Sequence, residues 1–151
     1  TYLSTLKVGD TVDITACQGR FVLPPTLPDR LVIAARYTGI VPIRAMLMDL
    51  KGRDYKGPVR LVYTSPTRAE RFYVQELETM GLSGLSVDWR ALDETENPLP
   101  EQAFLDQFLE GRTPSDTLPL LCGVGEMMQP LRAFLKERGF GRKEIRCQSY
   151  S

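Results

Sequence analysis

The sequence predicts an α/β domain: an open, parallel, five-stranded sheet with helices on both faces. Three observations lead there. From Leu31 onward, short runs rich in branched apolar residues alternate with segments of helical spacing. The connections between them are short, as strands joined through covering helices require. Two units also share one build, because Leu31–Ile43 and Leu118–Met128 each read as an apolar strand, a glycine turn and a helix start. In a parallel sheet both turns open at the same carboxyl edge, so one extended ligand, a nucleotide, could span them.

The elements follow in order. Leu3–Phe21 reads as β material, with a turn at Leu6-Lys-Val-Gly-Asp10 leading into the alternating strand Thr11–Thr15. One or two strands do not make a stable domain, and the proline-rich Leu23–Asp29 reads as a semi-rigid linker. Strand Leu31–Ala35 is followed by a helix from Pro42 to Leu50, where proline suits a first helical position and Met46, Leu47 and Leu50 share a face. Val59–Tyr63 is the second strand. Ala69–Met80 has helical spacing through Phe72, Leu77 and Met80, and Gly81 stops it. Leu85–Leu92 is the third strand and Pro100–Leu109 a short amphipathic helix. Leu118–Cys122 is the fourth strand, Glu126–Arg138 a helix ended by Gly139, and Glu144–Gln148 the last strand.

Composition narrows the function. The 151 residues suffice for one domain with a sizeable core, or for one domain with a remnant of another. Nineteen basic residues balance nineteen acidic ones without long runs of one sign, which argues against duplex nucleic acid or anionic lipid as partner. The chain has no histidine, so Ser-His-Asp and Cys-His catalysis and histidine metal sites are excluded within it. Its cysteines, Cys17, Cys122 and Cys147, lack metal-knuckle spacing, so no metal is expected. Chemistry here must lean on a cofactor. The cysteines suggest a reducing, cytoplasmic setting, and no apolar run approaches the roughly 20 residues of a membrane span. Thr1 in place of methionine leads us to expect a piece of a longer protein.

Thr38-Gly39-Ile40-Val41-Pro42 and Cys122-Gly123-Val124-Gly125-Glu126-Met127 resemble, in order and spacing, the T-G-x-x-P and C-G-x-x-x-M segments of the pyridine-nucleotide domain of ferredoxin reductase-like flavoproteins. The resemblance covers nearly the whole chain. It implies that residues 25–151 bind NAD(P)H, and that residues 1–24 are the final hairpin of a flavin-binding barrel plus a linker. It implies FAD in the complete protein, a flavin domain as neighbour and a ferredoxin-like or oxygenase acceptor. It places Thr38 at the flavin–nicotinamide junction with Pro42 behind it, Cys122 beside the reacting nicotinamide carbon, and Gly123 where carboxamide and ribose need room. Each has a plainer alternative: Thr38 as a helix cap, Cys122 as a buried strand-end thiol. Ser65 and Arg68 would grip ribose or phosphate at the adenine end, or form a solvated loop. Asp93 and Glu94 stand where relatives that prefer NADP carry a Ser-Arg pair, and two acids there favour NAD. Tyr150 would stack by the flavin, or simply be an exposed chain end.

One departure stands out. Where the family has two glycines, this chain has Arg36 and Tyr37. Either Arg36 contacts pyrophosphate and Tyr37 stacks on a ring, or the two close the turn and leave a non-catalytic interaction module.

Overall fold

The computed structural model describes residues 2–16 and 18–150; Thr1, Cys17 and Ser151 lie outside it. Five strands form, β1 (Arg30–Arg36), β2 (Val59–Ser65), β3 (Leu85–Ala91), β4 (Thr117–Val124) and β5 (Arg146–Tyr150). They alternate with α1 (Ile40–Gly52), α2 (Val74–Glu78), α3 (Pro100–Leu109) and α4 (Gly125–Glu137). The sheet order is β3-β2-β1-β4-β5, parallel throughout. The chain winds outward from β1 through β2 to β3, then crosses back to place β4 on the other side of β1. Such a reversal opens a crevice at the carboxyl ends of β1 and β4.

The three inner strands are covered on both faces, which is why they read as continuous apolar runs rather than alternating ones. On one face Ile40, Ile43, Leu47 and Leu50 of α1 pack on Leu31, Ile33, Leu61 and Leu120. On the other, Leu105 of α3 and Leu131 and Leu135 of α4 pack on Val32, Ala34, Val62 and Leu121. No helix among the described residues is long and apolar enough to cross a membrane.

Three expectations are corrected. α1 begins at Ile40, so Pro42 is its third residue rather than its first; the position still tolerates proline because the first four N–H groups lack intrahelical partners. The helix expected over Ala69–Met80 is broken into a 3-10 turn at Arg68–Glu70 and the short α2. Between them Tyr73 takes a left-handed conformation at φ 58°, while the Phe72 N–H donates to the Tyr63 hydroxyl at 3.2 Å. A bond to the neighbouring strand outweighs helical spacing there. The hairpin expected before residue 22 does not form either: the described residues of that segment hold only a 3-10 turn, Tyr2–Thr5, and join no sheet. Val8 and Ile14 are exposed, because alternation alone cannot make a strand without an edge to pair with. The proline segment, by contrast, is fastened down. Leu23 is buried in the core, the Pro24 carbonyl accepts from Arg53 at 3.0 Å, and the Pro28 carbonyl accepts from the Tyr55 hydroxyl at 2.8 Å.

Candidate functional site

β1 and β4 are adjacent and in register, with Ala35 opposite Cys122, so their carboxyl ends deliver the two glycine turns to one place. After β1, residues Tyr37–Gly39 form a 3-10 turn that runs into α1. Gly39 has an ordinary right-handed backbone at φ −60°, so conformational freedom is not why glycine is needed. Space is. A Cβ at Gly39 would lie 2.2 Å from the Cys122 carbonyl oxygen and 3.0 Å from the Gly123 nitrogen. A Cβ at Gly123 would lie 3.0 Å from the Arg36 Cβ and 3.1 Å from the Met127 sulfur. Gly39 therefore lets the first turn sit directly on the backbone of the second, and Gly123 leaves room for the Arg36 stem and the Met127 sulfur.

Around this junction lie most of the expected site residues. Thr38 is exposed at the crevice mouth, and no side-chain cap bond forms at the start of the 3-10 turn or of α1, so the capping alternative is not realised. Pro42 is half-buried behind it. Cys122 is fully buried. Its strand neighbour β5 sets Gln148 opposite Cys122 and Tyr150 opposite Val124, so the Tyr150 side chain comes near the Cys122 thiol. Burial pushes that thiol from 9.0 up to about 11, against a smaller lowering by Tyr150. At neutral pH it is protonated, a small polarizable wall rather than a nucleophile.

Arg36 and Tyr37 are both engaged with other residues of the chain. Arg36 is 7% exposed and grips the fully buried Glu101 of α3 through Nε at 2.8 Å and Nη2 at 2.6 Å. Its Nη2 also donates to the Pro98 carbonyl at 3.1 Å. The guanidinium is thus committed to α3 and the loop before it. Tyr37 adopts φ 48°, a conformation glycine would take at no cost, and its ring meets Phe72 at 5.2 Å between centroids. Glu101 and Phe72 were missed in the sequence. Glu101 was detectable, because it falls on the apolar stripe of α3 with Phe104 and Leu105, where an unpaired carboxylate could not be buried. Phe72 carried no signal, since only the broken helix brings it to Tyr37.

Ser65 and Arg68 lie one strand away, at the end of β2. Ser65 is buried, and its hydroxyl donates to the Thr67 carbonyl at 2.7 Å, so it shapes the loop from within. Arg68 is exposed and pairs with Glu94 at 3.0 Å. Arg71 approaches the same carboxylate at 3.9 Å and lies over the Trp89 ring at 5.8 Å. Its Nε is buried without a hydrogen-bond partner among the described residues. The Asp93 N–H donates to the Pro66 carbonyl at 3.2 Å, joining the loops after β2 and β3 into one surface. No metal-binding cluster exists among the described residues.

No family model matches the chain. A ferredoxin–NADP reductase from Synechocystis is 36% identical over 86 residues, 53% of this chain and 21% of that protein. A component of the Na⁺-translocating NADH-quinone reductase from Moritella marina is 28% identical over 101 residues, 66% of this chain and 32% of that protein. An NADPH oxidoreductase from Mycobacterium tuberculosis is 32% identical over 75 residues, 50% of this chain and 20% of that protein. The chain thus spans a third or less of these relatives. Among solved structures, a variant of ferredoxin-NADP⁺ reductase from Plasmodium falciparum with 2′P-AMP superposes with a TM-score of 0.79 at 19% identity, over 99% of this chain and 64% of that one. A cytochrome P450 reductase from Amycolatopsis reaches 0.75 at 20% identity, over 96% and 45%. The sequence and structure neighbours are ferredoxin reductase-type flavoproteins, and the fold is that of their pyridine-nucleotide domain. All five are named as reductases or oxidoreductases, which lends the non-catalytic alternative no support.

Proposed function

We propose that this chain is the nicotinamide-nucleotide-binding domain of a longer flavin-dependent oxidoreductase, one that passes electrons from NAD(P)H through FAD to a ferredoxin-like or oxygenase acceptor. The glycine turns packed together at the β1/β4 crevice carry this reading. They bring the exposed Thr38, the positive N-terminal end of α1 and the Cys122–Tyr150 contact to one opening, an arrangement suited to a dinucleotide lying across the sheet edge.

The residues fit the group in kind. Thr38 offers a hydroxyl at the mouth to a polar ring edge, and Cys122 forms a neutral wall on which a flat ring can settle without charge. Tyr150 lies near that wall at the end of β5, where an arriving ring would meet it. Arg36, held by Glu101, keeps the turn in place instead of meeting pyrophosphate, and Tyr37 is held by Phe72. When bound, nicotinamide and flavin supply the hydride chemistry themselves; the protein supplies orientation and exclusion of water. At the adenine end, Arg68 and Arg71 stand beside Glu94, while the exposed Asp93 has no ion-pair partner among the described residues and suits a free ribose diol. NADH is therefore the favoured nucleotide. Residues 1–24 serve as the end of the flavin-binding barrel, and the alternating pattern of Thr11–Thr15 is one that a barrel neighbour would complete.

Calorimetric titration with NADH and NADPH tests the reading. Saturable binding, tighter for NADH, is expected, together with no steady turnover until a flavin domain is supplied. Silence toward both nucleotides at millimolar concentration overturns it.

A further inference from the structure

A second cavity opens at the amino edge of the sheet, the end opposite the glycine turns. Its volume is about 330 Å³, and Arg30, Arg60 and Arg112 line it together with Pro58, Phe108 and Glu110. Arg30 is the first residue of β1 and Arg60 the second of β2, opposite Val32. Strands of this length set the cavity on the order of 20 Å from the crevice.

Three arginines line it, and Asp116 is the carboxylate that feels two of them. None makes an ion pair or a side-chain hydrogen bond among the described residues. Arg60 lies over the Phe108 ring at 5.6 Å, a contact that holds the stem and leaves its N–H edges unspent. The Nε of Arg30 is buried and unpartnered, and a buried donor left without an acceptor is costly. The nearby carboxylates do not answer the need. Asp116 feels Arg30 and Arg112, but the Thr117 hydroxyl bonds it, and together with the Thr113 N–H and the two arginines holds it below the usual carboxylate range. Glu110 is exposed on the rim. In a chain whose charges balance overall, three unpaired arginines around one orphaned N–H mark a place built for an acceptor from outside.

We propose that this cavity is an anion site that takes the phosphate or pyrophosphate group of a small phosphorylated molecule. Planar guanidinium forks match tetrahedral oxyanions, and the Phe108 and Pro58 wall accepts a small apolar portion beside the charge. The site is independent of nucleotide binding at the opposite edge.

The chain titrated with inorganic phosphate and with pyrophosphate, followed by calorimetry and by amide NMR shifts, tests the proposal. Saturable binding is expected, with shifts centred on residues 30, 60 and 112. Arg112→Gln, in an exposed loop, should keep the melting temperature of the ligand-free chain and weaken binding by about tenfold or more. Arg60→Gln should do the same to binding. NADH affinity should be unchanged in both variants. Shifts confined to the loops after β1 and β4, equal affinity in a folded Arg112→Gln chain, or no saturable response to either anion would each overturn it.

Discussion

Arg36 and Glu101 show how much can rest on one pair of side chains. Both are buried and doubly bonded, so removing either strands the other's charge. Glu101→Ala should destabilise the chain by about 3–5 kcal/mol, read from urea unfolding. The double replacement Arg36→Met with Glu101→Leu should recover most of that loss, because no charge is then left buried. Gly39 is constrained by contact rather than by charge. Gly39→Ala must push the Cys122 carbonyl aside, which should cost about 1–3 kcal/mol and abolish the nucleotide response in the titration above. That Gly39 and Cys122 stand at two strand-end turns was legible in the sequence, but the reason for the glycine was not. A sequence shows that a side chain is missing; only the fold shows what occupies its place. The commitment of Arg36 was hidden likewise, because its partner lies 65 positions away.

At the scale of elements, helix ends argue the same way. α4 closes on Gly139 at φ +90°, with the Gly139 N–H donating to the Lys136 carbonyl at 2.9 Å and the Phe140 N–H to the Leu135 carbonyl at 3.0 Å. This is a Schellman cap, and the buried Phe140 anchors it. Gly139→Ala should therefore lower stability by about 1–2 kcal/mol in thermal or urea unfolding without touching the crevice between β1 and β4. Gly139 was readable in advance because capping is local. The strands of the sheet were readable too, since burial on both faces demands unbroken apolar runs. The segment between β2 and β3 was not. Its helical spacing is present, but Tyr63 and Tyr37 capture Phe72 and divide it. The N-terminal alternation misled for the opposite reason: the pattern was right for a strand, and no edge stands beside it among the described residues.

For the molecule as a whole, one buried thiol and one half-buried phenol predict its alkaline limit. Burial raises Cys122 from 9.0 to about 11 and Tyr55 from 10.0 to about 12, the latter helped by Asp29. In the unfolded chain these groups ionise first, so above pH 9 the folded state holds more protons. Their contribution to stability should accordingly be level near neutral pH and fall through the range from about 9 to about 12, as urea midpoints across that range would show. Cys122→Ala should flatten the first part of that decline. The same protonated thiol should react slowly with iodoacetamide near neutral pH in the folded chain and rapidly once unfolded.

The sequence by itself determined the layered α/β architecture, the succession of strands and helices from Leu31 onward, and the presence of two paired glycine turns. Periodicity, chain stiffness and caps act between near neighbours, so they can be read along the chain. Tertiary structure alone decided that the first turn sits on the backbone of the second, that Arg36 belongs to Glu101 and Tyr37 to Phe72, and that three arginines line one cavity at the far edge of the sheet. Those arrangements depend on which strands become neighbours, and the crossover from β3 back to β4 settles that in space, far beyond the reach of local pattern.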